Sequence, residues 1–211
     1  ETKNVKWRTP VPGKGWSSPV IEGNQIWMTT SFETPASKEE TAERLKKNTG
    51  GVPVNVLSSV RLHVVCVDKR TGKLLHNLKI ITKKKPQWVH KLNSYASPTP
   101  IIEAGRVYCH FGSYGTVCID AKTAKVAWRN EKLWVNHENG PGSTPVLWKD
   151  LLIFHMDGSD QQFVVALDKK TGREKWRTAR TGKMNKNPQL KKSYGTPLIT
   201  MANGSNTLFS P

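Results

Sequence analysis

Long apolar runs, cysteines and acids are all scarce in this 211-residue chain. No stretch approaches the ~18 consecutive apolar residues that a membrane-crossing helix needs, so a transmembrane helix is excluded. A leader is not present in the sequence, which opens inside a strand-like segment, Asn4-Val5-Lys6-Trp7, without a charged-then-apolar signal. Three cysteines cannot all pair with one another. Cys66 and Cys118 sit where small buried core residues are expected, and Cys109 is left over. A hairpin centred on Gly112-Ser113-Tyr114-Gly115 would set Cys109 opposite Cys118, which leaves a cross-strand disulfide, and an oxidising compartment, open.

Acids number 16 against 33 Lys and Arg, a formal net charge of +17. A field of that sign concentrates anionic partners such as nucleic acid, acidic glycans or headgroups. No zinc-finger spacing, RNP-like aromatic string or helix-turn-helix pattern accompanies it, so nucleic acid is favoured by charge and unsupported by motif. Much of the excess falls in turns and in the run Lys83-Lys84-Lys85, where a solvated surface explains it. No Gly-x-Ser-x-Gly elbow, His-Glu-x-x-His pair or Walker loop is present, so hydrolase and nucleotide-binding readings have no support.

What the chain does have is repetition. Ala166-Leu167-Asp168-Lys169-Lys170-Thr171-Gly172 leads to Trp176. The same frame recurs from Asp120 to Trp128, with Ala124 at the glycine place, and from Asp68 through Gly72 to His76. A second signal keeps step with it: Ser18-Pro19-Val20, Thr99-Pro100-Ile101, Thr144-Pro145-Val146 and Thr196-Pro197-Leu198 each open a short apolar segment. Self-similarity at roughly 40–50 residues built from short strands marks a β-propeller blade. The fold class is therefore all-β, with four-stranded antiparallel blades. Hydrophobic content of 36% suffices for a core despite a mean hydropathy of -0.55, and eight Trp against five Phe fit one large ring per blade wedged against a neighbouring sheet.

Strands are expected at 145–149, 151–155 and 163–167, with a fourth beginning at 175, and the second repeat copies them at 100–102, 106–110, 116–119 and 125–129. The first repeat opens at 19–21 and 25–29 and resumes at 61–67. Its interruption carries a capping box, Ser37-Lys38-Glu39-Glu40, ahead of a short helix over 39–47, and paired glycines within 48–53 return the chain to the sheet. The whole of 1–211 reads as a partial propeller, with blades at about 16–80 (helical insertion at 33–60), 95–130 and 141–180, and a partial blade at 193–211. An open arc leaves blade faces uncovered, so the residues are expected to be part of a longer polypeptide, the alternative being that the ends join into a minimal four-blade ring lacking one strand.

The Ala-x-Asp-x-x-Thr-Gly-x-x-x-Trp unit resembles the PQQ-like, quinoprotein-dehydrogenase-like β-propeller repeat family. The stretches Gly15–Val20, Asn93–Pro100, His155–Asp160 and Ser193–Leu198 bring the likeness closer to bacterial envelope proteins of that family. The resemblance implies about half of an eight-blade ring, an extracytoplasmic location in the periplasm or cell envelope, and a binding or scaffold role without catalysis. It also carries an alternative, a fragment of a PQQ-dependent alcohol or sugar dehydrogenase whose ligands lie in further blades. Such an enzyme would need calcium ligands, a catalytic carboxylate and, in many members, a vicinal disulfide. No two cysteines here are adjacent. No cofactor is expected, and PQQ with calcium belongs to the alternative only.

Candidate binding residues cluster where blade-to-blade loops gather: His90, Asn93 and Tyr95 before the second blade, His137 and Asn139 before the third, and Tyr194 before the fourth. A rim of hydrogen-bonding groups suits a peptide or small polar ligand, and the basic surface suits anionic polymers. His155, Asp157 and Asp160 are the densest candidate metal ligands, although the sequence there is also that of an ordinary hairpin turn. His110, at the equivalent strand end one blade earlier, reads as a structural histidine. Asp68, Gly72, Asp120, Trp128, Asp168, Gly172 and Trp176 are structural members of the repeat.

Overall fold

A computed structural model of the chain describes residues 3–48 and 51–210. In chain order the elements are β1 (Val20–Glu22), β2 (Gln25–Pro35), α1 (Lys38–Leu45), β3 (Val54–Asn55), β4 (Leu57–Asp68), β5 (Leu74–Lys84), β6 (Val89–His90), β7 (Ile101–Glu103), β8 (Arg106–His110), β9 (Thr116–Asp120) and β10 (Lys125–Asn130). They continue with β11 (Val146–Trp148), β12 (Leu151–Asp157), β13 (Gln162–Asp168), β14 (Glu174–Ala179), β15 (Leu198–Ala202) and β16 (Ser205–Phe209). Three antiparallel four-stranded sheets follow, ordered β1-β2-β4-β5, β7-β8-β9-β10 and β11-β12-β13-β14. A β15-β16 hairpin and a two-stranded β3-β6 ribbon complete the set. These are the blades and the partial blade of the expected all-β architecture.

Packing follows from strand alternation. Val107 and Cys109 of β8 face a cluster shared with the first blade, containing Trp27, Val60, Leu62 and Tyr95, whereas Tyr108 faces one shared with the third, containing Leu152, Phe154, Val165 and Leu167. Strands covered on both sides need continuous apolar runs, which is why Phe163–Leu167 is buried throughout while the outermost strand, β14, is almost wholly exposed.

The recurring Asp builds a turn that is nearly the same three times. Asp68 Oδ1 accepts from the Thr71 amide (2.7 Å) and hydroxyl (2.8 Å), and Asp120 and Asp168 repeat this with Thr123 and Thr171 at 2.9 and 3.0 Å. Each turn closes with an amide-to-Asp carbonyl bond of 2.8 Å from Gly72, Ala124 or Gly172, all at positive φ (75°, 56° and 71°). The turn then receives a ring from the preceding blade. Trp128 Nε1 donates to the Lys169 carbonyl at 3.0 Å with its indole flat on Gly172, and Trp7 does the same to Lys69 over Gly72. Two residues after each ring a side chain reaches the glycine carbonyl: Thr9 to Gly72, and Asn130 to Gly172 at 2.8 Å. Where His76 stands for the Trp, Gln25 Nε2 serves the equivalent carbonyl, that of Ala121, at 3.1 Å. The exception at Ala124 thus coincides with the exception at the ring.

Two expectations are corrected. The insertion is shorter than 33–60, because β2 and β4 pair all the way from Gln25–Asp68 to Pro35–Leu57, leaving α1 and β3 as the excursion. Buried residues such as Thr30, Val60 and Leu62 sustain that ladder. Helix α1 is capped as expected, Ser37 accepting from the Glu40 amide at 3.1 Å. Of the paired glycines, Gly50 lies outside the described residues. The second correction is that Cys109 pairs with Val117 and Tyr108 with Cys118, since the 110–116 connection contains a 3-10 turn rather than a tight hairpin centred on 112–115. One residue of register turns the two cysteines to opposite faces, so they form no disulfide; all three cysteines are free and buried.

The turn chemistry predicts opposite outcomes at equivalent positions. Ala124→Gly relieves a positive φ and should stabilise by up to about 1 kcal/mol. Gly172→Ala drives a methyl into the Trp128 indole and should cost about 2–4 kcal/mol. Urea denaturation midpoints of the two variants check both.

Candidate crossover face

An antiparallel four-stranded blade ends at the side where the next begins, so the blade-to-blade segments 85–100, 131–145 and 180–197 gather on one face. The 36–56 excursion and the 111–115 and 158–161 connections join them there. The Asp-led turns occupy the opposite face.

Successive crossovers are laced together. The His90 amide donates to the Asn139 carbonyl at 3.3 Å, and Asn93 Nδ2 reaches the same oxygen at 2.8 Å and that of Pro141 at 3.2 Å. Asn139 Nδ2 donates to Gln189 at 3.0 Å. Lys192, its ammonium shut away from solvent, pairs with Glu138 at 2.9 Å. Asn93 and Asn139 are therefore spent largely on joining loops, while His90 is half-buried and Tyr194 is 41% exposed. Two of the expected rim residues are elsewhere. Tyr95 is in the core, its hydroxyl donating to the Gln87 carbonyl, because the apolar body of the ring packs 5.6 Å from Tyr114. His137 is buried, and its Nε2 accepts from the Ser113 amide at 2.9 Å.

The candidate metal cluster does not assemble. His155 Nδ1 bonds the Gly195 carbonyl (3.0 Å) and its Nε2 bonds Ser210 (2.8 Å); Asp157 accepts from Arg180 (2.6 Å) and the Ser193 amide (3.0 Å). Asp160 turns away to cap the Asn136 amide at 2.8 Å. Among the described residues no three His, Cys, Asp or Glu side chains converge on a common point. His155 and Asp157 instead pin the third crossover to the third blade. Burial raises the Asp157 carboxyl, with the Ser193 amide and Arg180 pulling the other way, and lowers His155. His110 is structural, bonded to Thr116 at 2.9 Å and packed against Phe154 at 4.1 Å with the rings tilted by 37°.

One feature of this face was not legible in the repeat. A cavity of about 650 Å³ lies between α1, the 83–88 segment, Tyr114 and the 131–138 segment. Arg44 of α1 holds its wall, donating to the Leu57 carbonyl at 2.8 Å and to the Pro86 carbonyl. Trp88 and Trp134 line it, and their departure from the Asp-to-Trp spacing was the available signal. They are two of the tryptophans for which the repeat has no place.

Sheets joined ring-to-turn, with a laced crossover face, define a PQQ-like β-propeller module. The chain belongs to the family described as outer membrane protein assembly factor BamB, which matches residues 38–178. No curated protein matches the chain. Among solved structures it is similar to BamB from Moraxella catarrhalis, at 15% identity and TM-score 0.45, covering 72% of this chain and 41% of that one. Similarity extends to the quinohemoprotein alcohol dehydrogenase ADHIIG of Pseudomonas putida HK5 (17% identity, TM-score 0.43, 80% and 25% covered). It extends also to the computationally designed Ika4 protein (10%, 0.46, 95% and 95%). The chain spans less than half the length of the two natural proteins.

Two buried imidazoles give this face a pH dependence. Desolvation depresses His137 from 6.5 to about 4, with Lys192 adding to it, and depresses His110 to about 3. The unfolded chain takes up protons at these sites first, so stability should be full above pH 6.5 and fall by several kcal/mol (~) as the pH drops toward 4. Urea titrations across that range should show the loss, and His137→Gln, which keeps an acceptor for Ser113, should reduce its slope.

Proposed function

We propose that this chain is a non-catalytic binding and scaffold module of the bacterial cell envelope, working outside the cytoplasm in outer-membrane protein assembly. The match of residues 38–178 to the assembly-factor family carries the reading. The crossover face supports it: a platform laced by Asn93, Asn139 and Lys192 keeps its shape when a partner docks, so little ordering entropy opposes binding. His90 and Tyr194 are the rim residues offered to a protein segment, on loops that Asn93 and Asn139 hold together. The basic surface serves anionic polymers in the same compartment, and no helix of the described residues is long and apolar enough to cross a membrane. Residues 1–211 act as part of a larger ring, with blades at about 16–80, 95–130 and 141–180 and a partial blade at 193–211.

Deleting the gene in its host and measuring heat-modifiable, folded outer-membrane barrels by gel mobility should show a severalfold drop, restored by complementation. Unchanged barrel levels would refute the proposal. So would saturable PQQ uptake by the purified protein with calcium, accompanied by alcohol or sugar oxidation.

A further inference from the structure

The 650 Å³ cavity beside α1 has the size of a small-molecule site and a charge pattern that favours one kind of occupant. Its three acids are already neutralised: Glu43 pairs with Lys46 at 2.5 Å, Glu131 with Lys83 at 3.1 Å and Glu138 with Lys192 at 2.9 Å. Three of its cations, Lys47, Lys84 and Lys85, are exposed and have no partner among the described residues. The excess at the cavity is therefore positive.

Its rings extend the pattern. Trp134 is 54% exposed at the rim, and Trp88 and Tyr114 form the inner wall. The Trp88 Nε1 proton finds no acceptor, and neither does that of the Tyr114 hydroxyl, which is 3% exposed. Both atoms are shut off from solvent, so it is the rings and not these donors that face an occupant. Aromatic faces take a flat ring by stacking, and ammonium groups take a carboxylate.

We infer that this cavity binds a small aromatic anion, a planar ring bearing a carboxylate, with the ring against Trp134 and Trp88 and the charge toward Lys84 and Lys85. The site is independent of the scaffold role, so its failure would leave the barrel-assembly measurement unchanged. Isothermal titration of the full chain with 1-naphthoate tests it, with 1-naphthol supplying the ring without the charge and acetate the charge without the ring. Saturable 1:1 binding of naphthoate is expected, with affinity at least about tenfold above either control and falling as salt is raised. Trp134→Ala and the double change Lys84→Ala/Lys85→Ala should each weaken it about tenfold. Both sets of substitutions lie at exposed positions, and unaltered circular dichroism would show the fold intact. Binding no tighter than naphthol, or equal binding by the two variants, would overturn the inference.

Discussion

An indole laid flat on the next blade's Asp-led turn is the contact on which this architecture rests. It satisfies a turn carbonyl that no backbone amide serves, covers the glycine that gives the turn its positive φ, and fixes the spacing between sheets. Each part presupposes the others. A side chain at Gly172 would lift the ring, and without the ring the Lys169 carbonyl would lose its donor. The first blade shows how the constraint is relaxed: with His76 in place of the ring, Gln25 takes over the carbonyl and an alanine is tolerated at the turn.

That contact also explains what could be read in advance. Aspartates spaced in step, each followed by Thr and Gly and then by an aromatic, encode a local turn and a periodic contact, both of which depend on a few residues at fixed offsets. Blade number was legible for this reason, and the cap of α1 from its own local pattern, whereas the length of the β2-β4 ladder was not. The bulge just before each ring, seen where Val126 and Trp128 break register, leaves no residue signature, since any side chain can occupy it. The same limit applies to the 110–116 connection. Whether Cys109 faces Cys118 depends on one residue of register, decided by a 3-10 turn whose glycine and tyrosine contact distant loops.

The candidate site was legible in a different sense. Chain direction alone puts the crossovers, and so the residues they carry, on one face. The roles of individual residues were less accessible, because a polar side chain in a loop reads alike whether it faces solvent or bridges to the next loop. Asn93 and Asn139 bridge, Tyr95 and His137 are buried, and His155 and Asp157 hold a crossover in place. Trp88 and Trp134 went unassigned because the repeat explains tryptophan so well elsewhere.

The ring-to-turn contact has a direction along the chain. Trp7 precedes the turn at Asp68, and Trp128 precedes the one at Asp168. As the polypeptide leaves the ribosome or a translocation pore, each new bend emerges to find its aromatic lid already outside and waiting. Assembly can therefore advance sheet by sheet from the amino end, with each finished sheet serving as the template for the one behind it.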